Sequence, residues 1–137
     1  MLRKNVKIDL LRRTLLFSGC SKSQLAKIAT IADEISFPSG KALIHEGERG
    51  RQLLVVIEGT VEVRKKGRKV AIRGGSEIFG EMALITNAPA NATVTTTSPV
   101  RALVIVDRDF RGLLEQTPAI QSQILVSLAA RVAPDVI

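Results

Sequence analysis

Tryptophan and tyrosine are missing from this chain, and its four phenylalanines are scattered. Without clustered aromatic rings to stack bases, a single-stranded nucleic-acid platform is disfavoured. Cysteine is nearly absent as well. Cys20 stands alone, which excludes an internal disulfide and fits a reducing, cytoplasmic compartment. The only histidine, His45, has Glu46 and Glu48 beside it, too few ligands in a fixed arrangement for a metal site. The longest aliphatic run, Leu53 to Ile57, is far too short to cross a bilayer. The basic start, with Arg3, Lys4 and Lys7, leads into no apolar signal segment. No nucleophile motif surrounds Cys20, and no Gly-Lys-Ser/Thr follows Gly74-Gly75 or Gly80 to make a P-loop. No acid–base pair stands out. No catalytic residue, metal ligand or cofactor is assigned, and enzyme activity is not expected.

Acidic residues are scarcer than basic ones, 13 against 20, for a net charge of +7. Such a balance raises nucleic acid or an anionic surface as a partner. The distribution argues against it. The densest cluster, Arg64-Lys65-Lys66-Gly67-Arg68-Lys69, straddles a turn between two strand patterns. Charge there solvates a hairpin tip and discourages edge-to-edge pairing.

What is present is the composition of one globular domain: 137 residues, 45% hydrophobic and 24% charged. Residues 1–32 read as helical. Leu2, Val6 and Leu10 recur at helical spacing with Leu11 and Leu15 beside them, Phe17 is a core candidate, and Gly19 breaks the segment. Ser21-Lys22-Ser23-Gln24 is a capping box opening a second helix with Leu25, Ile28, Ala29 and Ala32.

Over 33–106 the period changes to short strands, punctuated by Gly or Pro about every ten residues, as in a sandwich or jelly roll. Val61-Glu62-Val63 and Val70-Ala71-Ile72 alternate around the Lys66-Gly67 turn. Val100 to Val106 is almost continuously apolar, the pattern of a strand buried on both faces. Residues 107–133 return to helix: Asp107 as a cap for Phe110, Leu113 and Leu114, then Thr117-Pro118 opening a last helix. That helix carries Ile120, Ile124, Leu128 and Val132 on one stripe, with Leu125 and Ala129 alongside and Pro134 as its stop.

The most specific stretch is Phe79-Gly80-Glu81-Met82-Ala83-Leu84, followed by Pro89-Ala90-Asn91-Ala92-Thr93-Val94. A Gly-Glu at a strand end, leading into one helical turn, presents a carboxylate and several free backbone N–H groups to one small ligand. The residues allow a plainer reading too, a strand-to-helix turn with Glu81 favoured by the helix dipole.

In layout this stretch resembles the phosphate-binding cassette of the cyclic nucleotide-binding domain family. The likeness extends to Phe37-Pro38-Ser39-Gly40, Gly47-Glu48-Arg49-Gly50, Ile57-Glu58-Gly59-Thr60-Val61-Glu62-Val63 and the late Leu128-Ala129-Ala130-Arg131. The resemblance implies a mainly β domain, a β-roll with helices at both ends and a short cassette helix near 81–85. It implies a regulatory module that takes cyclic AMP, cyclic GMP or another small anionic ligand. By resemblance the ligand meets Phe79, Gly80, Glu81, Met82, Ala83, Ala90, Asn91 and Ala92, with Glu81 accepting from a ribose 2′-OH.

The family's cassette arginine is Ala90 here, its Thr/Ser is Asn91, and an acidic loop position of the family is Arg51. Neither Ala90 nor Asn91 supplies a guanidinium fork. Weakened or altered nucleotide binding is therefore expected. Arg49 or Arg51 either supplies the missing charge or is a solvated loop residue. Two functions stay open: a small-ligand sensor, and a ligand-free interaction module. A weak homodimer through the last helix is compatible with both.

Overall fold

The computed structural model describes residues 2–132, with side chains described through Ala130. Two helices come first, α1 (Lys4–Arg12) and α2 (Lys22–Thr30). The capping box forms as expected: the Gln24 amide donates to Ser21 Oγ at 3.1 Å, and the Ser21 amide to Gln24 Oε1 at 2.9 Å. Two otherwise orphaned N–H groups are thereby satisfied.

The first helix departs from the expected stripe. It buries Ile8 and Leu11 and leaves Val6 exposed, and it stops at Arg12 instead of continuing to Gly19, so Leu15 lies beyond it. The buried Thr14 hydroxyl donates to the Leu11 carbonyl and accepts the Phe17 amide. This local bonding competes with helix continuation. The chain folds into turns that send Leu16 and Phe17 inward and Leu15 outward.

Strands β1 (Asp33–Phe37), β2 (Ala42–Ile44), β3 (Gln52–Glu58), β4 (Val61–Lys65), β5 (Arg68–Arg73) and β6 (Ile78–Phe79) follow. Helix α3 (Glu81–Thr86) then precedes β7 (Thr93–Thr96) and β8 (Val100–Val106), and α4 (Asp107–Gln116) and α5 (Pro118–Val132) close the fold. The strands form two four-stranded antiparallel sheets, ordered β1-β8-β3-β6 and β2-β7-β4-β5. This is a β-roll between helical ends.

The apolar runs of β3 and β8 reflect burial on both faces. Leu53, Val55, Leu103 and Ile105 face a core shared with α1, α2, α4 and α5. Leu54, Val56, Ala102 and Val104 face a second core between the sheets, with Val61 and Val94 opposite. Strand register enforces this division, since alternate residues point to opposite faces.

The β4–β5 hairpin turns at Lys66 and Gly67, both at positive φ (52° and 76°), the type I′ geometry that matches strand twist. Its tip is tethered as well as solvated, because the Lys66 amide donates to Glu46 Oε1 at 2.9 Å.

Asp107 is the first residue of α4 rather than its cap; Val106 holds the cap position. The Asp107 carboxylate instead meets Arg111 Nε at 2.6 Å, one turn along the helix. Proline does open α5 at Pro118, and the Thr117 carbonyl accepts from the amides of Ile120 and Gln121. Ile120 and Ile124 are buried and Leu128 packs partly against the helical core. The Val132 side chain and Pro134 lie outside the described residues.

Phe17→Ala is expected to cost about 3–5 kcal/mol in urea unfolding, the usual penalty for an aromatic lost from a packed core. A loss below about 1 kcal/mol would show that the helical layer does not unfold together with the sheets.

Candidate ligand-binding site

Gly80 sets the geometry of the candidate site. Its φ of 86° reverses the chain between β6 and α3, a conformation glycine adopts without steric cost. A Cβ there would lie 2.6 Å from the Gln52 carbonyl oxygen and 3.3 Å from Ile44 Cδ1. The turn therefore packs directly on β3 and on the end of β2.

Glu81, the first residue of the six-residue α3, is only 9% exposed. An acid in a first helical turn is favoured by the backbone dipole. The far end of α3 is held from outside. Arg111 Nη2 donates to the Leu84 carbonyl at 3.0 Å and to Asn87 Oδ1 at 3.4 Å. Asp107 orients that guanidinium and lies 3.6 Å from Arg49 Nη2. One carboxylate thus connects the loop before β3, the start of α4 and the end of the cassette helix.

The second half of the cassette is fixed by backbone pairing. The Ala90 amide donates to the Glu48 carbonyl at 2.9 Å, and the Gly47 amide to the Ala90 carbonyl at 2.8 Å. Arg49 and Pro89 form a further bridge. Ala90 is held at 9% exposure with its short side chain on the wall of the roll.

The sequence-derived residues Phe79, Gly80, Glu81, Met82, Ala83, Ala90, Asn91 and Ala92 all line one cavity of about 590 Å³. This volume falls within the range of small-molecule sites. The inner wall is apolar, with Ile44, Val63, Ile78 and Val94. Arg49 and Arg51 do not line it. They border a smaller hollow of about 170 Å³ that shares Ile44, Gly80, Ala83 and Ala90 with the larger one.

The sequence reading passed over two cations that do line the large cavity, Lys65 on β4 and Arg73 on β5. Their signal lay in the alternation: Val61, Val63 and Lys65 share one face of β4, and Arg73 is the register partner of Val61.

His45 borders the smaller hollow, and no cluster able to hold a metal occurs among the described residues. Cys20 is buried, and its burial pushes the thiol pKa up. That favours an inert, protonated sulfur. Among the described residues no helix is long and apolar enough to cross a membrane.

With this geometry in hand, comparison with known proteins gives the class. The model of the cyclic nucleotide-binding domain matches residues 34–117. The chain belongs to the cyclic nucleotide-binding domain family. It is 33% identical over 129 residues to a CRP-like cAMP-activated global transcriptional regulator of Mycobacterium tuberculosis, covering 90% of this chain and 57% of that protein. It is 34% identical over 113 residues to a cAMP-dependent protein kinase regulatory subunit of Mycosarcoma maydis, covering 72% of this chain and 21% of that one. The chain thus spans little more than half, or less, of these relatives' length.

Among solved structures, the N-terminal domain of a transcriptional regulator from Streptomyces coelicolor A3(2) superposes with a TM-score of 0.80 at 32% identity, covering 93% of this chain and 92% of that one. The regulatory domain of Toxoplasma gondii PKA, solved with cAMP, gives 0.75 at 30% identity, covering 80% of this chain and 44% of that one.

Gly80→Ala is expected to destabilise the domain by about 1–3 kcal/mol, because a side chain at this positive φ adds both strain and a clash with β3. Thermal denaturation checks it. An unchanged midpoint would mean that the turn relaxes freely and does not position Glu81.

Proposed function

We propose that this chain is the ligand-sensing part of a regulatory protein, binding a cyclic nucleotide or a similar small ligand more weakly than an arginine-bearing cassette would. The observation that carries this reading is Ala90. It sits on the wall of a cavity large enough for a nucleotide, at the position where the family pattern has arginine, and it offers no charge. In the proposed complex the base and sugar lie against Ile44, Val63, Ile78 and Val94, and Glu81 accepts a hydrogen bond from a ribose hydroxyl. Gly80 allows close backbone approach, and Asn91 and Ala92 border the open side.

The regulatory role is likewise inferred, from membership in a family whose matched relatives are described as a transcriptional regulator and a kinase regulatory subunit. No enzymatic step is assigned to the chain. A cytoplasmic setting agrees with the single buried thiol at Cys20.

Titration calorimetry with cyclic AMP and cyclic GMP tests the reading. Wild type is expected to bind with Kd above about 1 μM, and Ala90→Arg to tighten binding by at least about tenfold, the scale of one charge-assisted hydrogen bond. Submicromolar binding by wild type, or an Ala90→Arg protein that folds and binds no better, would overturn the weakened-cassette part of this reading; no binding by either protein would overturn ligand sensing itself.

A second reading, that the domain serves as a pairing module, is favoured by one observation. Leu125 and Val126 are 58% and 60% exposed on α5. Two side chains make a small apolar surface, and small interfaces are weak. Sedimentation is therefore expected to find monomer at micromolar concentration with at most weak dimerisation. A dimer that persists at nanomolar concentration would make assembly, not ligand sensing, the leading role.

A further inference from the structure

Lys65 and Arg73 are exposed residues on the face of the second sheet that also carries Val61 and Val63. Along β4, Val61 and Val63 pack into the core between the sheets, and Lys65 continues the same face. Across the hairpin Arg73 pairs with Val61, and Ala71 with Val63. The register irregularity between Val63 and Arg64 falls on the β5 side, where Val70 is the unpaired residue, so the alternation of β4 is unbroken.

Edge protection explains a charge on β5, the last strand of its sheet. Lys65 lies one residue past the end of the β4–β7 ladder and pairs with Arg68 alone. The two cations are not held in ion pairs. Among the described residues Arg64 is paired with Glu62, whereas Lys65 has no ion-pair partner and Arg73 donates only to its neighbour's Ile72 carbonyl at 3.3 Å. Both border the same cavity as Glu81 and Ala90. Among the residues lining this cavity the cations are Lys65 and Arg73, both on the hairpin.

We infer that the β4–β5 hairpin, through Lys65 and Arg73, is the anion-binding wall of this cavity, so that a bound ligand turns its negative group toward the hairpin and its neutral hydroxyl-bearing part toward Glu81. This rests on the ligand-sensing reading above and deepens it. Coulombic preference sets the direction: a phosphate beside two cations is attracted, and their exposure moderates the effect.

The experiment titrates the whole chain with cyclic AMP and with adenosine, which has the same base and sugar but no charge. It uses wild type, the Lys65→Gln/Arg73→Gln double variant, the conservative Lys65→Arg/Arg73→Lys double variant, and Arg51→Gln. The hairpin residues are exposed, and a thermal melt verifies that each variant is folded. Expected results are a cyclic AMP affinity about tenfold weaker in the neutral pair, near wild type in the conservative pair, and adenosine affinity unchanged throughout.

Unchanged cyclic AMP binding by the neutral pair, equal losses for cyclic AMP and adenosine, or a loss that follows Arg51→Gln instead would overturn the inference while leaving a binding cavity. Adenosine binding without any cyclic AMP binding would do the same. Failure of wild type to bind either compound at about 1 mM, a binding free energy of only about 4 kcal/mol, would overturn both this inference and the ligand-sensing reading.

Discussion

Two strands buried on both faces, β3 and β8, hold the molecule together. They lie side by side at the centre of one sheet, and their alternate residues belong to different cores. Odd-numbered residues Leu53, Val55, Leu103 and Ile105 anchor the helices; even-numbered Leu54, Val56, Ala102 and Val104 floor the roll. A slip of one residue in their pairing would exchange the two sets. Because Gly80 packs against β3, the candidate site inherits its position from this register. Outside the cores an ion chain follows the same sheet, with Arg101 of β8 bonded to Glu58 of β3 and Glu34 of β1.

The cassette is a short helix pinned at both ends by other parts of the chain. Gly80 fixes its start against β3 and β2, while Arg111 from α4 bonds its last turn. Such a helix has too few residues to be stable by itself, so its geometry depends on these external contacts. Asp107 ties the Arg111 anchor to Arg49 in the loop that pairs with Pro89 and Ala90. The two cassette halves are therefore joined through α4 as well as around the cavity. A change at Asp107 therefore bears on how the short helix is held.

Much of the architecture was legible in the chain because it rests on local chemistry. The Ser21–Gln24 box, the Lys66-Gly67 hairpin, the proline start of α5 and the two-faced run at Val100–Val106 each follow from neighbours in sequence. The N-terminal stripe was misleading because α1 turns Ile8 and Leu11 inward and Val6 outward, and the Thr14 turn ends the helical period before Leu15. Asp107 likewise had the composition of a cap and became the first helical residue, drawn to Arg111.

The sequence by itself determined the order of elements and the resemblance carried by Phe79 to Val94, since these are matters of residue type and local spacing. Tertiary structure alone decided which charges face the cavity. Arg49 and Arg51 are near the cassette in the motif pattern, yet they border the smaller hollow, and Arg49 is drawn toward Asp107. Lys65 lies in a segment that reads as a solvated turn and Arg73 just past the Val70-Ala71-Ile72 strand pattern, yet strand pairing brings both to the large cavity. The physical reason is register. A basic residue near a hairpin tip looks the same on either face of its strand, and only pairing with a neighbouring strand decides whether its charge meets solvent or a ligand.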